Sequence, residues 1–236
     1  DDLPTSARGG FIADEMGLGK TITMIAVMIT NFKFKTLIVL PNVLIDQWIH
    51  EIYRTTGHIP LLFYGANKKN ITIEDIIKAP IVITSYNTIS ISKKNIGDKS
   101  KYTLLHKIKW NRLVFDEAHH LRNRNSHFYG ASKIRAPIRW LISGTPIQNK
   151  RSDFLNLCAS IQLPKQFYNN PNNISSIVKN YLLRRTKAQA GIALPLLEIN
   201  NSSVLWHTDF ERILSEDIHE AITWSPPSHK LRLFIK

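Results

Sequence analysis

Acidic residues are scarce in this chain: 18 Asp and Glu stand against 31 Lys and Arg, a formal net charge of +13 over 236 residues. That imbalance gives the surface a positive field that gathers polyanions. An ordinary solvated basic surface has the same composition, so charge by itself does not choose a partner. Cysteine is nearly missing. Cys158 is the single one, which excludes an internal disulfide and any zinc site built on two or more thiolates. A reducing, intracellular compartment is therefore the expectation. Long hydrophobic runs are missing too. Thr36 to Leu40 and Ile81 to Ile83 fall far short of the roughly 20 apolar residues of a membrane span, and the first residues do not resemble a signal peptide. There is no internal repeat. What the chain does have is 43% hydrophobic residues, enough to fill the core of one α/β domain followed by a tail.

Short runs rich in Ile, Val and Leu alternate with amphipathic stretches, the pattern of parallel strands joined by helices. Strands are expected at Gly10 to Ala13, Thr36 to Leu40, Leu61 to Tyr64, Ile81 to Thr84, Arg112 to Asp116 and Arg139 to Ser143. After the first strand, Ile22, Ile25, Ala26 and Ile29 recur at helical spacing and predict one face laid on the sheet, with Met24 and Met28 as packing residues. Pro41 ends the second strand, and Leu44, Ile45, Trp48, Ile49 and Ile52 predict a helix over Val43 to Arg54 with Trp48 as a core anchor. Lys93, Lys94, Lys99, Lys101, Lys107 and Lys109 mark a basic surface excursion, and the Asn-rich stretch at 169–173 a loop. Beyond it the pattern predicts a helix from Ile174 to Arg185, a strand from Leu197 to Trp206 and a helix from Asp209 to Trp224.

Three segments carry chemistry. In Ala13-Asp14-Glu15-Met16-Gly17-Leu18-Gly19-Lys20-Thr21, at a strand-to-helix junction, Gly17 and Gly19 let the backbone curl so that N–H groups face an anion. Lys20 adds a mobile positive charge, and the Thr21 hydroxyl suits Mg²⁺. The strict phosphate-loop pattern has glycine where Asp14 stands, and Gly-Lys-Thr also occurs by chance at helix starts. Leu113-Val114-Phe115-Asp116-Glu117-Ala118-His119 is an apolar strand ending in two carboxylates. A nucleotide hydrolase needs one acid for Mg²⁺, here Asp116, and one to orient or deprotonate water, here Glu117. Paired strand-end acids also cap helices, but their company with the phosphate loop favours the hydrolase. Adjacent His119 and His120 do not by their spacing converge on one ion, and a hydrogen-bonding role for these histidines, linking the carboxylates to the rest of the machine, is the better reading. Ser143-Gly144-Thr145-Pro146-Ile147-Gln148-Asn149 follows another apolar strand. Its hydroxyls can reach Glu117 or His119 and report the state of the phosphates, while a plain polar turn is the simpler alternative.

With these elements in order, the chain resembles superfamily 2 helicase-like motors, and within them the Swi/Snf type of chromatin-remodelling, DNA-translocating ATPases. Asp14 to Thr21 is similar to that family's motif I in every letter, including the acid at 14. Leu37-Ile38-Val39-Leu40-Pro41 with Gln47-Trp48 resembles motif Ia, and Ile83-Thr84-Ser85-Tyr86 motif Ib. Asp116-Glu117-Ala118-His119 resembles motif II, a DEAH box, and Ser143 to Asn149 motif III. Leu183-Arg184-Arg185-Thr186-Lys187 is similar to a stretch that closes the first lobe, where both arginines would brace structure. Position 120 departs from the pattern, being His where the family usually has Arg or another basic residue. The upstream glutamine element that reads adenine is not seen before Asp1, and motifs IV to VI, with their arginine fingers, are not among these residues.

The resemblance implies a RecA-like P-loop NTPase lobe with a mostly parallel sheet and helices on both faces over residues 1–187. Residues 188–236 are then a helical tail leading toward a second RecA-like lobe. It implies ATP and Mg²⁺ bound by residues 14 to 21 and Asp116, water activation by Glu117, and coupling through His119, Ser143, Thr145 and Gln148. Pro41, Asn42, Thr84, Ser85 and Asn149 would contact double-stranded DNA. The expected place is a nucleus or a viral replication compartment. Two other readings stay open: a P-loop kinase or ATPase that acts without nucleic acid, and a nucleic-acid-binding or interaction module that hydrolyses almost nothing by itself.

Overall fold

In the computed structural model the described residues are 7–145, 150–192 and 208–224. The chain divides into two compact units, residues 1–193 and 194–236. In the first, β1 (Arg8–Ile12) leads into α1 (Lys20–Thr30), β2 (Thr36–Leu40) into α2 (Ile45–Thr56), and the short β3 (Leu61–Leu62) into α3 (Ile73–Lys78). After β4 (Ile81–Ser85), α4 (Tyr86–Ile89) and α5 (Leu104–Lys107) precede β5 (Arg112–Phe115), α6 (Ser126–Lys133) and β6 (Ile138–Ile142). Then come α7 (Arg151–Ser160), α8 (Lys165–Asn169), α9 (Ile174–Tyr181) and β7 (Leu182–Leu183). In the second unit α10 (Asp209–Trp224) is the described helix, and the strand expected over Leu197 to Trp206 lies outside the described residues.

The strands form one sheet in the order β3-β4-β2-β5-β6-β1-β7, and every pairing is parallel. Parallel neighbours need crossovers, which the helices supply, and the sheet is then covered on both sides. Alternate strand residues divide between two cores. Phe11, Leu37, Val39, Val82, Leu113, Phe115 and Leu141 pack with α7 and α9 through Phe154, Leu157 and Ile177. Ile12, Ile38, Leu40, Ile83, Val114 and Ile142 pack with α1 and α2 through Met24, Ile25, Trp48 and Ile52. The register pairs Val39 with both Thr84 and Phe115, and Phe115 with Leu141, which itself pairs with Phe11. The segments that follow β1, β2, β4, β5 and β6 therefore emerge along one carboxyl edge, the edge where parallel sheets bind ligands.

Two expectations need correction. The sheet-facing side of α1 is Met24, Ile25 and Met28, while Ile22 and Ile29 are exposed and Ala26 faces out. Gly19, in the left-handed region at φ 72°, fixes where the helix starts, and that start rotates the unbranched methionines onto the sheet. The helix expected to run to Arg185 ends at Tyr181 instead. Leu182 and Leu183 turn extended and pair with Phe11 and Ile12, because β1 still offers an open edge that apolar residues can cover.

Candidate functional site

The turn between β1 and α1 is shaped by glycines at φ 88° (Gly17) and 72° (Gly19), conformations that strain any residue with a Cβ. Gly19 caps α1 without a side-chain hydrogen bond, and the first turn holds no acid. The first N–H groups of the helix and the positive end of its dipole are left to an outside acceptor. They border a cavity of about 460 Å³ lined by Met16, Gly17, Gly19, Lys20, Thr21, Asp116 and Glu117, and by Gln47, Glu51 and Arg54 of α2. A larger cavity of about 590 Å³ lies around Met28, Phe32, Thr36 and Ile81, toward the amino ends of the strands, and holds none of the motif residues. The ammonium of Lys20 donates to the carbonyls of Asp14 (3.1 Å) and Glu15 (3.4 Å). A Cβ at Gly144 would come within 3.4 Å of that ammonium, so the turn after β6 leaves it room.

Asp116 is almost fully buried and held from three directions. The indole N–H of Trp48 donates to Oδ2 (2.7 Å), the Glu117 N–H donates to Oδ1 (2.9 Å), and the Tyr86 hydroxyl donates to the Asp116 carbonyl (2.7 Å). Burial pushes the carboxyl above its ordinary range, and the Trp48 hydrogen bond pulls against that shift. Glu117 stands in the left-handed region at φ 48°, ψ 50°, a conformation that costs a non-glycine residue about 1–3 kcal/mol. Its Oε2 lies 3.0 Å from Nδ1 of His119. The His120 ring stacks on His119 (4.6 Å) and lies against Tyr86 (4.8 Å) and His127 (5.6 Å). The burial of His120 and the neighbouring rings depress its pKa. The two histidines thus point to different partners.

Donors, hydroxyl and carboxylates suit a magnesium-bound triphosphate. Two glycines clear the backbone, a lysine and an uncapped helix start border the cavity, and Thr21 and Asp116 both line it. Asp14, inside the loop, is fully buried and paired with Arg185, while Arg184, expected to brace structure beside it, is exposed.

The remaining expected residues are less concentrated. The Ser143 hydroxyl accepts from the Thr145 N–H (3.3 Å) and so closes its own turn, while Gln148 and Asn149 lie outside the described residues. Asn42 is exposed and Pro41 half-buried at the end of β2. Thr84 and Ser85, expected to offer hydroxyls to a backbone, are both fully buried. Thr84 donates to the Phe63 carbonyl (2.8 Å) and Ser85 caps α4, so in this conformation both serve the fold. The sequence marks Trp48 as a core anchor and part of a motif and Tyr86 as part of another, without pointing to Asp116 for either. An indole or phenol in an otherwise apolar core pattern is the signal, since its polar atom must find a partner.

The SNF2-related domain family matches residues 3–170. An uncharacterized ATP-dependent helicase of Schizosaccharomyces pombe is 32% identical over 181 residues, 67% of this chain and 17% of that protein. The DNA repair protein RAD5 of Candida albicans is 30% identical over 252 residues, 86% of this chain and 23% of that protein. A probable global transactivator of Orgyia pseudotsugata multicapsid polyhedrosis virus is 28% identical over 224 residues, 89% of this chain and 44% of that protein. Among solved structures, the Sulfolobus solfataricus SWI2/SNF2 ATPase core in complex with dsDNA superposes with a TM-score of 0.60 at 22% identity. That match covers 78% of this chain and 42% of the other. The chain spans about a fifth of the length of the first two curated relatives.

Proposed function

The chain belongs to the SNF2-related family, and from that premise we propose that it is the nucleotide-binding lobe of a DNA-dependent ATPase that moves along double-stranded DNA. One observation carries the reading: the glycine-shaped loop with Lys20 and the acid pair Asp116 and Glu117, far apart in sequence, line one cavity. The same arrangement would serve a nucleotide hydrolase that never meets nucleic acid. The positive charge of the chain, and relatives named as an ATP-dependent helicase and a DNA repair protein, favour the DNA reading.

In this reading the N–H groups of residues 17 to 21 and the Lys20 ammonium hold the β and γ phosphates, and Thr21 and Asp116 hold Mg²⁺. Bound Mg²⁺ neutralises phosphate oxygens and orients the terminal phosphoryl group. Glu117 is the base or water-orienting group, and His119, bonded to its carboxylate, sets which way that carboxylate points. Asn42, exposed at the carboxyl edge, is the residue of the expected set best placed to meet a DNA phosphate, with Pro41 beside it. Gln148 and Asn149 belong to the same proposed surface. The catalytic cycle needs a second lobe to close the cavity, and the place of work is a nucleus or a viral replication compartment. The test is ATP turnover by a chain extended through the second lobe, with and without duplex DNA. DNA-stimulated turnover is expected, and turnover indifferent to DNA would favour the hydrolase that works without it.

A further inference from the structure

Asp14 occupies the loop position where the strict phosphate-loop pattern has glycine, and its carboxylate is fully buried. A carboxylate out of water must be paired, and this one is paired by a single distant residue. Arg185 donates its backbone N–H (2.8 Å) and its Nε (3.2 Å) to Oδ1, and its Nη2 (2.5 Å) to Oδ2. The pairing extends along the chain on either side. The Ala13 N–H donates to the Leu183 carbonyl (2.7 Å), the Glu15 N–H to the Arg185 carbonyl (3.0 Å), and the Lys187 N–H to Oε2 of Glu15 (2.6 Å). Residues 183 to 187 thus follow residues 13 to 15 beyond the end of β7, up to the start of the phosphate loop.

On its other side Asp14 meets Lys20. The Lys20 ammonium rests on the carbonyls of Asp14 and Glu15. With both oxygens of Asp14 fixed by a planar fork and a backbone N–H, the residue cannot swing. The Glu15 N–H bond to the Arg185 carbonyl holds the Asp14–Glu15 peptide, and the Arg185 side chain holds the Asp14 carboxylate, so Arg185 fixes the residue that offers its carbonyl to Lys20 from two sides.

We infer that Arg185 is a positioning residue for nucleotide binding, which holds Asp14 and through the Asp14 carbonyl keeps the Lys20 ammonium at the wall of the phosphate cavity. The acid at position 14 is the anchor of this device, and a glycine there would leave the guanidinium without its partner. The inference rests on the nucleotide site proposed above.

Calorimetric titration of the 236-residue chain with Mg·ATP, using Arg185→Met, Arg185→Lys, Lys20→Ala and the Arg185→Met/Lys20→Ala double variant, tests it. Arg185→Met is expected to weaken binding about tenfold, in the range of coupling between residues that share a network. Arg185→Lys keeps the charge without the fork and should fall between the two, which also serves if Arg185→Met does not fold. The double variant should bind no more weakly than Lys20→Ala alone, because Arg185 acts through that lysine. A purely structural arginine would lower thermal stability without changing affinity, or would add its full loss to that of Lys20→Ala, and either result overturns the inference. If Lys20→Ala itself binds Mg·ATP as the parent does, the proposed nucleotide site fails and the inference falls with it.

Discussion

Lys20 faces the cavity from the first turn of α1, and the backbone carbonyls that receive it make no demand on the fold. Lys20→Ala in the extended chain is therefore expected to abolish DNA-stimulated turnover while thermal unfolding stays within about 0.5 kcal/mol of the parent, as for a surface substitution. A well-folded variant with parental turnover would remove Lys20 from the mechanism. Glu117 makes a different demand. It is held in a strained backbone conformation beside a metal-suited carboxylate, with its own carboxylate turned to His119. Glu117→Gln keeps the shape and removes the base, so turnover should fall roughly a hundredfold or more while nucleotide affinity stays near the parental value. Collapse of affinity together with rate would make Glu117 a structural or metal-holding residue.

These residues were legible in the sequence because each meets a local requirement: glycine for positive φ, lysine next to a helix start, acids at a strand end. Their supports were not. Trp48 reaches Asp116 across 68 positions, Tyr86 across 30, and Arg185 reaches Asp14 across 171. Nothing in a periodic pattern specifies which buried polar atom will meet which.

Among elements, the sheet read clearly from runs of β-branched and aliphatic residues, with strand ends displaced by one or two positions. The last strand did not, since two leucines following a helical pattern carry too little signal to compete with the expectation that the helix continues. That strand matters for pH dependence, because it carries Arg185 to Asp14. Burial works to raise the Asp14 carboxyl, but the hydrogen bonds and charge of Arg185 outweigh it and hold the carboxyl below its ordinary value of 3.8. A depressed carboxyl stabilises the fold above its unfolded value, and the contribution is lost as pH falls through the lower folded value. The stability gap between the parent and Asp14→Asn should be full above about pH 4 and shrink as acid is added below it. Urea unfolding at a series of pH values measures this, and a gap that stays constant down to the acid limit would show the pair does not hold in solution. The helix α2 supplies a second case. Trp48→Phe removes one N–H from a buried carboxylate and should cost about 1–3 kcal/mol, more than the loss of packing area alone. If equilibrium unfolding shows a smaller cost, Asp116 finds its donor elsewhere.

At the scale of the whole molecule, the cavity is lined by the phosphate loop, the acid pair and residues of α2. The cations among its lining residues are Lys20 and Arg54, and Arg54 is already engaged by Glu51 (2.8 Å). Arg185 is bound to Asp14. The residues that line the cavity therefore offer a cradle, an acid for the metal and an acid for water, and no uncommitted guanidinium to meet the charge that develops on the transferring phosphoryl group. In related phosphoryl-transfer systems an arginine supplied from an opposing surface contributes about 10³ to 10⁵ in rate. Residues 1–236 alone should accordingly bind Mg·ATP weakly and turn it over hardly at all, with duplex DNA present or absent. Their DNA binding should be weak and strongly salt-dependent, because the positive field persists while only one lobe can contact phosphates. Steady-state assays of this chain beside one extended through a second lobe check both parts. Robust DNA-stimulated turnover by the short chain would mean that the opposing arginine lies within it, and Arg54, freed from Glu51 when nucleotide binds, would be the first residue to replace.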